Sequence, residues 1–330
     1  MFVSVVVPCY RSARTLPSLI DRLAAALPAA AIGYEVVLVV DGSPDDTWEV
    51  AAELARDHPE VRAIRLARNY GQHNATIAGV RAAVHDVIVT MDDDLQHPPE
   101  EIPRLLAALT DEVDLVYGHP REEEHGILRN LSSQLFKLGL SGPLGARDAR
   151  SLSAFRAFRA FLRSGLDDVT GPFVCIDVVL SWCTRRVQDV EVHMDQRSEG
   201  RSGYTLRTLL RQAVNVVVAY SSTPLRIVSY LGLLAGGFGA CLLGLVLWSY
   251  FAGHTSVAGF TSIASMIALF SSAQMLGIGV LGEYLGRLHS GGMGRPTYVV
   301  RTEVGAAGAS TGQVRIPEVV SQRSQEGWMA

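Results

Sequence analysis

The chain has 330 residues, with 33 acidic side chains against 29 Lys and Arg and a formal net charge of −4. That near-balance excludes a dedicated nucleic-acid binder, which needs a domain-wide basic excess, while the length allows one large domain plus an appendage. Cys9, Cys175, Cys183 and Cys241 show neither metal-ligand spacing nor a disulfide framework, and Cys241 sits in an apolar run as a small packing residue.

The chain starts directly on a strand-like run at 2–7, so no secretory signal peptide is expected. Up to about residue 118, strand and helix patterns alternate. Segments 4–8, 35–41, 61–66, 86–91 and 114–117 read as strands, mostly continuous Val/Ile/Leu runs of the kind buried on both faces of a parallel sheet. Helices are expected at 16–27, 47–57, 73–83 and 100–109, the second of them with Ser43 as N-cap and Pro44, Asp45 and Asp46 in its first turn. Repeated β-α units imply a doubly wound α/β domain with its site at the carboxyl ends of the strands.

Residues 119–190 are mixed and rich in arginine, and the N-terminal α/β domain is taken to run over 1–204. A helix over 205–220 follows, within a juxtamembrane segment 205–226; Arg207 and Arg211 are four apart, and Leu206, Leu209, Leu210, Val214 and Val217 lie on its apolar side. It fits either the plane of a membrane interface or packing on the soluble domain. From 227 to 282 there is no Asp, Glu, Lys or Arg, and two apolar runs, about 227–251 and 260–281, each meet the ~20 residues needed to cross a hydrocarbon core. A buried soluble hairpin is the weaker alternative. Arg226 precedes the pair, Arg287, Arg295 and Arg301 follow it, and the connecting loop has no Lys or Arg, so both ends are expected to be cytoplasmic. A cytoplasmic juxtamembrane segment 283–301 and a disordered tail 302–330 complete the expected organisation.

The chemistry concentrates at MDDDLQHPPEEIPRL, residues 91–105, where an apolar run stops at Asp92, Asp93 and Asp94. Asp92 and Asp94 are two apart and point the same way if strand geometry persists. Hard oxygen ligands in that position suit a divalent metal serving a nucleotide diphosphate. Taken alone, an acidic turn capping the next helix is the stronger reading. The position after the fourth strand, Asp41 on a neighbouring strand end and the apolar hairpin downstream reverse it. A G-x-G-x-x-G fingerprint and a P-loop are both absent, so a metal-bridged diphosphate fits better than a glycine-cradled one.

The segments VSVVVPCY, VVLVVDGSPDDT, LARNYGQHNATIAG, MDDDLQHPPEEIPRL, STPLRIVSYLG and LGEYLGRL, in that order, resemble the polyprenyl-phosphate glycosyltransferases of glycosyltransferase family two, the dolichyl-phosphate-mannose-synthase-like group. The nearest likeness is to bacterial undecaprenyl-phosphate transferases for glucose or aminoarabinose. The resemblance spans about residues 2–300. It implies a GT-A fold with a mostly parallel sheet, followed by the interfacial helix and a two-helix transmembrane hairpin. It also implies Mg²⁺ or Mn²⁺, a nucleotide-sugar donor (a UDP-sugar favoured, a GDP-sugar the alternative), inversion at the anomeric carbon, an undecaprenyl phosphate acceptor in the inner membrane, and a homo-oligomer.

By the same resemblance Asp41 holds the nucleobase, Pro8 and Tyr10 shape that pocket, and Arg68 lies near the donor. Asp92 and Asp94 match the D-x-D, Asp94 as the direct metal ligand and Asp92 on ribose or metal, and Gln96 helps position the reacting groups. Arg121, Arg129 and Arg156 match basic positions facing phosphate, and Arg197, Gly200, Ser202 and Tyr204 match a loop closing near the acceptor phosphate. Gly203 stands where a lysine or arginine is usual and Ala154 where many relatives have an acid; both put the detail of acceptor binding and sugar choice in doubt.

A lipid phosphate monoester has a second pKa of about 6 and is mostly a dianion at neutral pH. It can attack without a strong general base, so His73 and His97 need not be catalytic, and Asp93 is expected to tolerate alanine. The rivals are a processive polysaccharide synthase, which needs a Q-x-x-R-W element that is missing here, and a non-enzymatic membrane subunit that binds nucleotide-sugar or lipid.

Overall fold

A computed structural model describes residues 1–120, 153–167, 169, 171, 174–195, 223–252 and 259–305. The strands are β1 (Phe2–Cys9), β2 (Gly33–Val40), β3 (Val61–Leu66), β4 (Val87–Thr90), β5 (Leu115–Pro120), β6 (Arg156–Arg159), β7 (Val187–Val192) and β8 (Val300–Val304). They form one sheet in the order β7-β5-β6-β4-β1-β2-β3-β8. β1 pairs in parallel with β2 and β4, β2 with β3, and β5 with β7, whereas β6 and β8 run antiparallel to their neighbours. The sheet is therefore mixed and mostly parallel, as expected for the N-terminal half.

The helices are α1 (Leu16–Ala26), α2 (Thr47–Asp57), α3 (Gln72–Ala82), α4 (Ile102–Ala108), α5 (Ser164–Asp167), α6 (Ile176–Cys183), α7 (Thr223–Phe251) and α8 (Phe260–Gly292). Alternation along the central strands explains why they cover both faces. Val3, Val5, Val7 and Cys9 of β1 join Val36, Leu38 and Val40 of β2 in a core with Leu16, Leu19, Leu23, Ala51 and Leu105. Val6, Val37, Val39 and Ile88 face the other way, into Ala75, Ile77, Val80, Leu166 and Val179. A run that is apolar at every position can sit still only between two helical layers.

Four expectations change. Helix α2 starts at Thr47, with Asp46 in the capping position, so Ser43 is not its cap. The Ser43 hydroxyl instead donates to Asp45 and accepts the Arg11 N–H. Residues 153–192, left unassigned by the sequence pattern, supply β6, α5, α6 and β7. Finally, the tail expected from 302 begins inside β8, where Val304 pairs with Ala63 and Thr302 with Arg65, and Glu303 makes an ion pair with Arg62. The segment 283–301 is likewise not all linker, since α8 continues to Gly292.

Helices α7 and α8 hold 29 and 33 residues, about 43 and 50 Å at 1.5 Å per residue. Among the described residues no helix is long and apolar enough to cross a membrane. Side chains are described without interruption only over 227–239 in α7 and 270–286 in α8. The juxtamembrane helix expected over 205–220 lies outside the described residues.

Gly79 shows how closely α3 lies on the sheet. A Cβ there would stand 2.3 Å from Val6 Cγ1 and 3.0 Å from Val39 Cγ2, both on central strands. Alanine normally gains about 1 kcal/mol over glycine inside a helix, but here it must push α3 off β1. Gly79→Ala is expected to destabilise the protein by about 1–3 kcal/mol, read as a lowered denaturation midpoint; an unchanged or raised midpoint would contradict this packing.

Candidate active site

Three strand ends converge at the carboxyl edge of the sheet because β1 lies in parallel register between β2 and β4, with Cys9 opposite Val40 and Val6 opposite Thr90. β1 delivers buried Pro8 and exposed Tyr10, β2 delivers buried Asp41, and β4 delivers Asp92, Asp93 and Asp94, all part-exposed. Arg68 comes from the loop after β3, its guanidinium 4.3 Å above the Tyr70 ring.

Each acid of the cluster has its own partner. Asp92 Oδ1 accepts from Gln72 Nε2 at 2.6 Å, and Asp94 Oδ1 accepts the Gln96 N–H at 3.1 Å. Asp93 Oδ2 accepts the Tyr10 N–H at 3.0 Å and the Ser12 hydroxyl. The residue keeps some surface, yet its carboxyl lies deep enough for desolvation to push its pKa up to about 6 against those two hydrogen bonds, with the charges of Asp92 and Asp94 adding. Asp93 thus ties the loop after β1 to the acid turn. Its expected tolerance of alanine stands against these two contacts.

Among the described residues the non-glycine positions with left-handed φ are Arg11 at 59° and Leu95 at 62°, and both flank this junction. Such a conformation costs about 1–2 kcal/mol for an L-residue and persists only where the surroundings over-determine it. Here they do. The Arg11 N–H donates to Ser43 Oγ at 2.8 Å, and the acid turn is closed by His97 Nδ1, which accepts the Asp92 N–H at 3.2 Å. His97 stacks on Phe155 with ring centroids 5.2 Å apart, and burial lowers its pKa to about 4, so the imidazole stays neutral and able to accept. Its role is to hold the turn.

Asp41 anchors a second loop. Its two carboxylate oxygens accept the N–H groups of Tyr70 and Gly71, each at 2.7 Å. Burial still raises its pKa, opposed by these amides and by Arg68. Gly42, at φ 57°, touches the same loop: a Cβ there would lie 2.3 Å from the Arg68 carbonyl carbon. The nucleobase contact expected of Asp41 must therefore share that carboxylate with loop anchoring.

Arg156, expected to face phosphate, is 3% exposed; its guanidinium pairs with Asp177 and its Nε donates to Thr90 Oγ1 at 2.9 Å, so any contact with a phosphate must share that charge with Asp177. Arg121, Arg129, Arg197, Gly200, Ser202 and Tyr204 lie outside the described residues. The chain just before Arg197 is placed, however: the Asp195 N–H donates to the Gln96 carbonyl at 3.0 Å, and Arg22 bridges Glu100 and Asp195 at 2.7 and 3.2 Å. Sequence reasoning did not single out Gln72, Asp177, Asp195 or Arg22; only Gln72 lay in a segment already flagged.

Asp92 and Asp94 supply carboxylate oxygens on a turn that already carries excess negative charge. That hard, all-oxygen donor set fits Mg²⁺ or Mn²⁺.

Comparison with known proteins bears on what such a site does. The family described as glycosyl transferase family 2 matches residues 4–170. An undecaprenyl-phosphate 4-deoxy-4-formamido-L-arabinose transferase of Pectobacterium atrosepticum is 34% identical over 320 residues, covering 96% of this chain and 98% of its own. A transferase of the same name from Yersinia pestis is 32% identical over 307 residues, covering 92% and 94%. Among solved structures, mannosyl-3-phosphoglycerate synthase from Rubrobacter xylanophilus aligns at 20% identity and TM-score 0.48 over 68% of this chain and 74% of its own.

The anchoring role of Asp93 can be tested directly. Asp93→Ala removes the carboxylate that accepts both the Tyr10 N–H and the Ser12 hydroxyl, leaving Ser12 Oγ as the remaining acceptor of that N–H, and is expected to cost about 1–3 kcal/mol. Asp93→Asn keeps an acceptor oxygen and should stay close to the parent. Denaturation midpoints for the two variants decide; equal midpoints would remove the role.

Proposed function

This chain belongs to glycosyl transferase family 2 and is a glycosyltransferase, and from that premise we propose that it moves one sugar from a nucleotide carrier onto undecaprenyl phosphate at the cytoplasmic face of the inner membrane. The observation that carries the reading is the pinned acid turn: Asp92 and Asp94 stand at the end of β4 beside Tyr10 and Asp41, where a nucleotide diphosphate needs its charge neutralised. Pro8, Tyr10, Asp41 and Arg68 form the nucleotide pocket, with the exposed Tyr10 ring as its rim. A UDP-sugar is favoured over a GDP-sugar, and the relatives' names point to a formamido-substituted pentose.

Asp94 and Asp92 would hold the divalent cation, whose chemistry is to neutralise the diphosphate as it leaves. The acceptor phosphate is already a dianion, so one of its oxygens attacks the anomeric carbon as the bond to the nucleotide diphosphate breaks. A single displacement of this kind inverts the anomeric centre. The protein's work is to position the reactants and balance charge. Gln96 sits on the acid turn to orient them, and Arg121, Arg129, Arg197, Ser202 and Tyr204 are assigned to the acceptor phosphate on the family pattern.

Helices α7 and α8 supply the membrane anchor in this reading. Leu233, Leu234, Trp248, Phe251, Leu285 and Leu288 are each more than two-thirds exposed, and such large apolar side chains favour a hydrocarbon surrounding. The absence of charge from 227 to 282 agrees, and the flanking arginines put both ends on the cytoplasmic side.

Asp94→Asn is expected to lower transfer by at least about 100-fold, with the protein still extracted from membranes and melting like the parent. Mass analysis of the lipid product should find one sugar per lipid. Full activity in the variant, or longer sugar chains on the lipid, would overturn this function.

A further inference from the structure

Beside Asp92, on the α3 side of the sheet edge, lies a recess of about 200 Å³. Gln72, His73, Asp92, Arg156, Cys175 and Asp177 are among the residues that line it. Ligand pockets for drug-sized molecules run to ~300–1,000 Å³, so this one suits a single small ring rather than a nucleotide or a lipid.

Its floor is polar but electrically balanced. Arg156 pairs with Asp177, and the Tyr117 hydroxyl also donates to Asp177 Oδ1 at 3.1 Å. Above that pair, a His73 ring nitrogen, Cys175 Sγ and an Asp177 carboxylate oxygen all lie within 4.8 Å of one another. The trio resembles a metal-ligand set. A cation there would face the Arg156 guanidinium that already satisfies Asp177, and with no cation present burial keeps the Cys175 thiol neutral, its pKa pushed up to about 11. What remains is a cluster of neutral donors and acceptors around a closed ion pair. It suits hydroxyl or amide groups and disfavours either sign of charge. Gln72 joins the recess to the acid turn through its 2.6 Å bond to Asp92 Oδ1. An occupant would thus have one end at the diphosphate site and the other at the His73–Cys175 cluster.

We propose that this recess holds the ring of the transferred sugar, and that His73 and Cys175, backed by Asp177, read its substituents remote from the anomeric carbon and select uncharged sugars. The inference rests on the function proposed above. Asp177 supports the reading through Arg156 and is a positioning residue; His73 and Cys175 determine specificity.

The test uses the purified full chain with Mn²⁺, undecaprenyl phosphate and a panel of UDP-glucose, UDP-N-acetylglucosamine, UDP-xylose and UDP-glucuronic acid, together with calorimetry of UDP alone. The parent should prefer an uncharged donor to UDP-glucuronic acid. His73→Ala and Cys175→Ser should each shift the kcat/KM ratio between the two best donors by tenfold or more, with the Kd for UDP changed less than twofold. Unchanged ratios with UDP binding intact would overturn the recess as the sugar site and leave the proposed function standing. No UDP binding and no turnover of any donor by the parent would overturn both. Saturable Zn²⁺ binding by the parent, lost in Cys175→Ser, would also overturn the proposal by making the cluster a metal site.

Discussion

The site depends first on β1. This strand is buried from Val3 to Cys9 and has parallel neighbours on both sides. Parallel strands end at the same edge, so placing β1 between β2 and β4 brings Tyr10, Asp41 and the acid turn together without any long loop having to reach. The two-sided burial that makes β1 apolar at nearly every position also fixes its register. A one-residue slip would turn Val3, Val5, Val7 and Cys9 from one helical layer to the other.

That edge then has to carry three adjacent carboxylates. Two unit charges about 5 Å apart repel by roughly 3 kcal/mol at an effective dielectric of 20, which would splay an unrestrained turn. The chain meets this by dividing the acids among different partners. Asp92 goes to Gln72 on α3, Asp93 back to the loop after β1, and Asp94 to the amide of Gln96. Left-handed Leu95 and Arg11 are the backbone consequence, and His97, held neutral against Phe155, closes the turn. The strain buys an orientation: all three acids stay part-exposed, and the Asp93 carboxyl is turned back onto the Tyr10 N–H and the Ser12 hydroxyl.

Much of this was legible before any coordinates. Continuous Val/Ile runs identify buried parallel strands, so β1 to β5 and the helices between them were found within a few residues. The placement of the acid cluster at the sheet's carboxyl edge beside Asp41 was legible too, from the order of strands and the position of Asp41 at a neighbouring strand end. The division of labour among the acids was not. Period-two reasoning assumes that strand geometry continues past Met91, whereas the chain leaves the sheet after Thr90 and turns through a left-handed Leu95. Likewise, spacing cannot show that Arg156 is spent on Asp177, since the two meet only when β6 is inserted antiparallel beside β4 and α6 folds against the same face. The short β8 escaped because Val-Arg-Thr-Glu-Val, five residues with two charges after a long apolar helix, look like the start of a polar tail.

That last strand matters for how a membrane anchor and a catalytic sheet can work together. Seven residues separate the end of α8 from the start of β8, a reach of at most about 25 Å when fully extended. β8 is hydrogen-bonded to β3, two strands from β1, and Glu303 reinforces the pairing through Arg62. The approach is fastened as well: the Ala67 N–H donates to the Val299 carbonyl at 2.8 Å, and the Thr297 hydroxyl to the Val169 carbonyl at 3.0 Å. If α8 spans the bilayer as proposed, the sheet cannot drift further from the membrane surface than this short tether allows. An acceptor whose phosphate is fixed at the headgroup level requires that constraint, because attack at the anomeric carbon needs the reacting atoms within about 3–3.5 Å. A catalytic domain on a long flexible leash would lose most of that proximity; one whose sheet incorporates the chain returning from the helical hairpin keeps it.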